Sequence, residues 1–208
     1  MPLKQFFASQ LRAPHGWFGS HITANLLNRH NKKIIDSTLA LLRVAPQHHV
    51  LEIGFGGGYS LQQLTHGYRA SAVTAIDISP EMVHKAQSNF SREIKQGRLR
   101  VQIGDVSRMP FAASVFDRAF TINTIYFWPD PAKALAEIRR VLKEGALLAI
   151  SIRSREKMQK REFTKYNFQL YAPQDVHRIV EHAGFRNVHI DHQDAHKAVD
   201  QAIILGTR

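Results

Sequence analysis

The sequence HVLEIGFGGGYS, residues 49–60, decides the fold. Its apolar start, residues 49–53, predicts a buried strand, and the residues that follow the glycines, 59–65, predict a helix. Glycines between a strand and a helix permit a tight turn and let a ligand lie against bare backbone. The first N–H groups of such a helix have no partner within the helix, so the turn favours a phosphate or a carboxylate.

Predicted strands and helices alternate along the chain on both sides of this turn. The predicted strands lie at 49–53, 72–76, 99–103, 118–122 and 146–152, and the predicted helices at 31–45, 59–65, 80–90, 131–144 and 173–183. Strands that alternate with helices through short connections predict a parallel sheet covered on both faces. The last two apolar runs, 188–190 and 202–205, are joined by a loop alone, which predicts an antiparallel pair at the sheet edge.

Composition excludes several classes of protein. The 208 residues include 44% hydrophobic residues and no Cys. These values fit one globular domain over residues 1–208 rather than a disordered chain, and they exclude disulfides, thiolate metal sites and a cysteine nucleophile. The sequence has no run of 18 apolar residues, the pattern that predicts a membrane-spanning helix. The first residues also lack the apolar core of a secretory signal. We therefore expect a cytoplasmic protein without a metal ion.

The positive charge is unevenly distributed. The formal net charge is +11, from 28 Lys and Arg against 17 Asp and Glu. Residues 1–49 hold six basic residues and one acid, a net charge of +5, and residues 153–165 hold six basic and two acidic residues, a net charge of +4. Either these stretches form an ordinary solvated surface, or they attract an anionic partner such as a phosphate, a carboxylate, a nucleic acid or a membrane surface.

An acid at the end of the second strand adds to the glycine turn. Asp77 lies 23 residues after Gly54, where a carboxylate is able to accept both hydroxyls of a ribose. A nicotinamide-cofactor site also uses a glycine turn and an acid at the end of the second strand. However, Tyr59 stands where the dinucleotide fingerprint requires glycine or alanine, and Glu52 is not part of that fingerprint.

The chain resembles the class I S-adenosylmethionine-dependent methyltransferases, in the group similar to the ubiquinone/menaquinone and sterol methyltransferases (methyltransferase domain type 11). The family's run after its last core helix is usually Pro-Gly-Gly, where this chain has Glu-Gly-Ala at 144–146. The resemblance covers about residues 46–206. The motifs that carry it are, in chain order, residues 52–58, Asp77, residues 104–106, residues 109–117 and residues 134–143.

This resemblance implies a fold and its divisions. The fold is an α/β, Rossmann-like, seven-stranded and mostly parallel sheet, with helices on both faces and an antiparallel C-terminal hairpin. The cofactor is S-adenosyl-L-methionine, and the product is S-adenosyl-L-homocysteine. The divisions are a helical lid at 1–45, a cofactor-binding core at 46–152, an acceptor-side insertion at 153–172, and a C-terminal helix and hairpin at 173–208.

The resemblance also implies which residues bind the cofactor. The glycines lie against its methionine part, Asp77 binds the ribose and Asp105 binds the adenine amino group. Each of these residues also has an ordinary structural explanation, as a turn, helix-start or loop-capping residue. The implied cofactor-binding residues are Glu52, Gly54, Phe55, Gly56, Gly58, Asp77, Ile78, Met82, Gly104, Asp105, Val106, Asn123, Thr124 and Ile125.

The sequence says less about the acceptor. No catalytic base is identified; His15, His21 and Tyr126 are candidates by position alone, and the aromatic pair Phe127-Trp128 either lines the acceptor pocket or packs under the next helix. The two basic stretches predict a small-molecule or lipid-like acceptor bearing negative charge. The alternatives are an RNA methyltransferase, a nicotinamide-dependent oxidoreductase, and a protein that binds the cofactor or a nucleic acid without catalysis. The oligomeric state is not indicated.

Overall fold

A computed structural model describes residues 24–68, 70, 72–166, 168–193 and 201–208. Its strands are β1 (His49–Ile53), β2 (Ala72–Asp77), β3 (Leu99–Ile103), β4 (Phe116–Ile122), β5 (Leu142–Arg153), β6 (Arg186–Gln193) and β7 (Gln201–Thr207). They form one sheet with the order β3-β2-β1-β4-β5-β7-β6.

Helices connect most of these strands. A π-helical turn at Gln63–Gly67 continues the second helix, and short 3-10 turns lie at Ile125–Phe127 and Glu162–Lys165. The helices are α1 (Ala24–Leu41), α2 (Tyr59–Gln62), α3 (Pro80–Asn89), α4 (Ser91–Lys95), α5 (Pro131–Val141), α6 (Arg155–Gln159) and α7 (Pro173–His182). None of the helices in the described ranges is long and apolar enough to cross a lipid bilayer.

The strand directions confirm the predicted fold class. β1 pairs in parallel with both β2 and β4, β3 is parallel to β2, and β5 is parallel to β4. β7 is antiparallel to both β5 and β6. The two last strands therefore form the expected antiparallel pair, but only β6 lies at the edge, because β7 is inserted between it and β5.

Both faces of the sheet are buried. Side chains alternate between the two faces along each strand, so Leu51 packs in one core and its neighbour Val50 in the other. The first core includes apolar residues of α5 and α7, and the second includes residues of α1, α2 and α3. This double coverage explains why central strands such as β2 and β5 contain nearly continuous runs of apolar residues.

Two helices begin at the residues that the sequence predicts, whereas two helix ends differ from the prediction. Ser79 Oγ accepts a hydrogen bond from the Met82 N–H at 3.3 Å, and Asp130 Oδ1 accepts one from the Lys133 N–H at 3.0 Å, as expected for N-caps that precede proline. α1 ends at Leu41 rather than at residue 45. α5 ends at Val141, because the next residue already pairs with β4, so Gly145 lies within β5.

Candidate functional site

A cavity of about 210 Å³ lies along the carboxyl ends of the parallel strands. This edge of an α/β sheet is where ligands usually bind, since the loops that leave neighbouring strands meet there. The lining comprises residues at or beyond the end of each strand: 52–57 and Ser60 for β1, 76–78 and Met82 for β2, 104–106 for β3, and 122–124 and 127–129 for β4. Asn31 and Ile35 of α1 complete it.

Most of the cofactor-binding residues expected from the sequence line this cavity. The exceptions are Gly58 and Ile125. A Cβ atom on Gly58 would lie 3.0 Å from the ring of Phe90, so this glycine serves the packing of the turn, and Ile125 is fully buried in the core. Direct contact of any of these residues with a cofactor stays a prediction.

The glycine turn touches the loop that follows β4. Gly54 has a φ of 73°, a backbone conformation that favours glycine, and its N–H donates to the Ile76 carbonyl at 2.8 Å. A Cβ atom at this position would lie 2.5 Å from Thr124 Cγ2. The absence of a side chain therefore lets the loops after β1 and β4 approach each other at the bottom of the cavity.

Glu52 is a buried acid with an incomplete set of partners. Ser60 Oγ donates to Glu52 Oε1 at 2.5 Å, whereas Oε2 has no hydrogen-bond partner. The pKa of this carboxyl is raised to about 8, mainly by burial and to a smaller extent by the charge of Asp77, while the Ser60 bond opposes the shift. A buried carboxyl oxygen without a partner is costly, so this wall of the cavity suits a cationic group.

Asp77 joins the loop after β2 to the glycine turn. Its Oδ1 accepts from the Ser79 N–H at 3.0 Å, and its carboxylate also accepts from the backbone of Gly56 and Ile78. Burial raises the pKa of Asp77 to about 6, although these three hydrogen bonds oppose the shift. At neutral pH the group is an anion held in place at the cavity wall by backbone donors.

The loops after β2 and β3 form an apolar slot with a polar edge. Ile78 is 51% exposed although it is apolar, whereas Val106 and Met82 are buried. All three residues line the cavity beside Asp105, whose Oδ1 accepts from the Ser107 N–H at 2.8 Å. Such a slot matches a flat ring that carries a hydrogen-bonding group.

A polar cluster lies at the ends of β4 and β5. Asn31 Oδ1 accepts from Asn123 Nδ2 and from an Arg153 guanidinium N–H, each at 3.3 Å. Asn123 has a φ of 58°, a left-handed conformation that asparagine tolerates better than most residues. We refer to Asn31, Asn123 and Arg153 as the Asn–Arg cluster. Its two asparagines line the cavity.

The environment of Tyr126 does not favour a catalytic role. The ring is buried, and burial raises the pKa of the phenol above its ordinary value. The hydroxyl donates to the Arg153 carbonyl at 3.0 Å and accepts from the Arg153 N–H at 2.6 Å. Tyr126 therefore ties the loop after β4 to the end of β5, while the other two candidate bases, His15 and His21, lie outside the described residues.

Sequence reasoning left one question open at this site and missed several residues. Phe127 and Trp128 both line the cavity, and Trp128 is also buried in the core that includes residues of α5, so the pair fits both interpretations and its contact with an acceptor stays a prediction. Ser60 and Asn31 were missed. A polar Asn31 one turn before Ile35, on the apolar side of α1, is a signal that was present in the sequence.

Comparison with known proteins identifies the family. A family model described as a methyltransferase domain matches residues 51–150. The uncharacterized methyltransferase YdaC of Bacillus subtilis (strain 168) is 29% identical over 144 residues, which cover 69% of this chain and 77% of that protein. Residues 51–150 are a class I S-adenosylmethionine-dependent methyltransferase domain. The family resemblance and its cofactor, S-adenosylmethionine, are thereby confirmed.

Further comparisons support the fold of this methyltransferase and point to oxygen acceptors in its relatives. An S-adenosylmethionine-dependent methyltransferase structure from Aquifex aeolicus superposes with a TM-score of 0.72 at 22% identity, covering 97% of each chain. A malonyl-[acyl-carrier protein] O-methyltransferase of Methylovorus sp. (strain MP688) is 34% identical over 64% of this chain and 46% of that protein. Three more relatives are also named O-methyltransferases, and the alignments span less than half of their lengths.

A metal site is not seen in this methyltransferase within the described ranges. No three His, Asp or Glu side chains there are grouped so as to hold a metal ion. The comparisons add no support for a nucleic-acid or membrane partner, which stays a prediction from charge.

Proposed function

We propose that this methyltransferase transfers the methyl group of S-adenosylmethionine to an oxygen atom of a small, negatively charged organic acceptor. The observation that carries the choice of donor is the unpartnered Glu52 Oε2 in the cavity wall. The choice of acceptor is supported by the relatives named as O-methyltransferases and by the absence of a suitable base among the described residues that line the cavity.

The cavity residues fit the parts of the methyl donor. Glu52 accepts from the ammonium of the methionyl part, which supplies the partner that Oε2 lacks. Asp77 accepts from the ribose hydroxyls, and the slot between Ile78 and Val106 holds the adenine, with Asp105 at its edge. When bound, the donor supplies a methyl group already activated by a positively charged sulfur.

The titratable groups near the acceptor narrow its chemistry. Among the described residues, those that line the cavity and titrate are Glu52, Asp77 and Asp105, and all three are assigned to the donor. No histidine is part of this described lining. An oxygen that is already ionised needs no base, whereas an alcohol must lose its proton during transfer. The site therefore favours a carboxylate or another ionised oxygen.

The remaining work of the protein is positioning. Methyl transfer requires the acceptor atom in line with the methyl group at about 3–3.5 Å, in a site that excludes water. Thr124, Phe127 and Trp128 lie on the wall of the cavity that follows β4. We assign these residues to shaping the acceptor's approach rather than to chemistry.

The experiment is a transfer assay with methyl-labelled S-adenosylmethionine and panels of organic acids, phenols, alcohols and amines. We expect label in acids or acidic phenols, weaker transfer at high salt, and binding of S-adenosylhomocysteine but not NAD. Methyl transfer to amines alone or to RNA alone would overturn the proposed acceptor class. A protein that binds NAD tightly and does not bind S-adenosylhomocysteine would overturn the proposed methyl donor. The cytoplasmic location is part of the same proposal and is tested by cell fractionation.

A further inference from the structure

The sheet order separates the cavity into two sides. β1, β2 and β3 are neighbours. Glu52 and Asp77 lie at the carboxyl ends of β1 and β2, Asp105 follows β3, and all three are assigned to the donor. β4 and β5 lie on the other flank of β1. We call the residues at the ends of β1, β2 and β3 the donor side, and we call the Asn–Arg cluster with Phe127 the acceptor side.

The acceptor side places a cation next to two residues of the cavity wall. Asn31 from α1, Asn123 from the end of β4 and Arg153 from the end of β5 meet at one amide oxygen. Because Asn31 and Asn123 line the cavity, the half-buried guanidinium of Arg153 lies one hydrogen bond from it. Asn31 is neutral, so this hydrogen bond orients the guanidinium and adds no negative charge beside it.

Guanidinium chemistry selects the kind of anion. The planar fork of an arginine side chain matches the two oxygens of a carboxylate, and the charge-assisted pair is stronger than a bond between neutral groups. Asn123 Nδ2 is a further N–H donor at the same place. A planar carboxylate therefore suits this corner of the cavity better than a neutral acceptor does.

An aromatic cluster begins at Phe127 in the cavity wall. Phe127 packs edge-on against Phe168, with ring centroids 4.6 Å apart, and Phe168 lies 5.7 Å from Phe163. All three rings are only partly buried. The Arg161 guanidinium lies 6.0 Å from the Phe163 ring centroid. Half-buried rings that begin at the cavity wall suit the apolar body of a ligand.

We infer that the acceptor is a carboxylic acid with an apolar body, that Arg153 binds its carboxylate with the help of Asn31 and Asn123, and that Phe127 and Phe168 contact its body. This inference rests on the proposed function and names the acceptor class and its binding residues. Arg153 is a binding residue for the acceptor, and the two asparagines position its guanidinium.

The transfer step balances without a base. A lone pair of one carboxylate oxygen forms the new C–O bond while the S–CH3 bond breaks, and the bonding electrons stay on sulfur. The acceptor anion becomes a neutral methyl ester, the sulfonium becomes a thioether, and no proton moves. The ester no longer pairs with Arg153, so the change that completes the reaction also weakens binding of the product.

The experiment measures binding as well as turnover. The protein saturated with S-adenosylhomocysteine is titrated calorimetrically with straight-chain and phenyl-substituted carboxylates and with their amides and methyl esters, at about 150 mM salt to screen distant charges. We expect carboxylates to bind at least about tenfold more tightly than the matched amides and esters. Affinity should rise with the length of the apolar body.

Two variants isolate the role of Arg153. Arg153→Gln should weaken carboxylate binding by about tenfold or more, and Arg153→Lys by less, because the lysine keeps the charge and loses the fork. The affinity for S-adenosylhomocysteine should stay within about twofold in both variants, which also shows that they fold. The matched control is Lys160→Gln, which removes one positive charge at an exposed position of the same basic stretch.

The outcomes separate this inference from the proposed function. Equal losses in Arg153→Gln and Lys160→Gln, no loss in either, or equal binding of acids and amides would overturn the role of Arg153. Methyl transfer to phenols together with no binding of any carboxylate would overturn this inference and leave the proposed function standing. Binding of S-adenosylhomocysteine without transfer to any oxygen acceptor would overturn both.

Discussion

The donor side and the acceptor side of one cavity are built differently. On the donor side, each group lies within a few residues of the end of its own strand, as Glu52 and Gly54 do at the end of β1. On the acceptor side, Asn31 meets Asn123 and Arg153, which are 92 and 122 residues away in the sequence. One side depends on backbone shape in short turns, and the other depends on side chains that the fold brings together.

This difference suggests why one fold serves many acceptors. A turn that requires a positive φ and a missing Cβ tolerates few substitutions, so the donor side has little freedom to change. Side chains such as Asn31 and Arg153 occupy the ends of regular elements, and other residues at these places keep the sheet intact. The specificity of the enzyme is therefore expected to reside on the acceptor side.

The strongest test of the donor side is Gly54→Ala. The added Cβ would lie 2.5 Å from Thr124 Cγ2, in a left-handed conformation with a φ of 73°. We expect a loss of S-adenosylhomocysteine affinity of about 100-fold or more, measured by calorimetry, because the turn must move.

The control for Gly54→Ala is Gly97→Ala. Gly97 has a φ of 71°, but nothing lies within 4 Å of the place that an added Cβ would occupy. This variant should lose about 1 kcal/mol of unfolding free energy and bind S-adenosylhomocysteine normally. If Gly54→Ala behaves like its control, the contact between the loops after β1 and β4 does not shape the donor side.

A smaller effect is expected for Asp77→Ala. Loss of the carboxylate leaves the ribose hydroxyls and three backbone N–H groups without a partner, so the affinity for S-adenosylhomocysteine should fall by about 1–3 kcal/mol. The KM for the acceptor at saturating donor should change little, since the acceptor side is untouched. Steady-state kinetics and calorimetry together check this contrast.

Asp130→Ala is the matched control for Asp77→Ala. Its carboxylate caps α5 through the Lys133 N–H, and Asp130 is not part of the cavity lining. Removing it should lower the free energy of unfolding by about 1 kcal/mol and leave donor affinity unchanged. Similar losses of donor affinity in both variants would show that Asp77 acts through stability alone.

The smallest expected effect is a dependence of donor binding on pH. Free Glu52 has a pKa raised to about 8, so it holds a proton at pH 7, whereas pairing with an ammonium requires its carboxylate. The affinity for S-adenosylhomocysteine should therefore rise with pH between about 6.5 and 8, by up to about tenfold per unit, with release of a proton. Calorimetry in two buffers of different ionisation enthalpy counts that proton.

Glu52→Gln provides the control for the pH dependence. The variant should bind S-adenosylhomocysteine more weakly and with little change between about pH 6.5 and 8. The same raised pKa predicts that the free protein loses stability as the pH rises from the ordinary carboxyl pKa of 4.5 towards 8, and that the variant does not. A wild-type affinity that is constant over this range would contradict the pairing of Glu52 with the ammonium.

Much of the donor side was predictable, because its signals are local. The caps at Ser79 and Asp130 are set by a side chain and an N–H three residues away, and the glycine turn by the conformations open to single residues. Predictions failed where the outcome depended on a partner distant in the sequence. Gly145 was expected just after a helix, but pairing between β4 and β5 draws the chain into a strand at Leu142.

The sequence by itself determined the α/β class, the parallel core of the sheet, the family and nearly all the groups on the donor side. It did so because strand period, helix period and turn chemistry are properties of neighbouring residues. Only the tertiary structure decided that Ser60 donates a hydrogen bond to one oxygen of Glu52 while the other oxygen has no partner. It also decided that Tyr126 is buried against β5 and that Asn31 accepts a hydrogen bond from Arg153. Those contacts depend on how α1 and the strands pack, and packing joins residues that no local pattern relates.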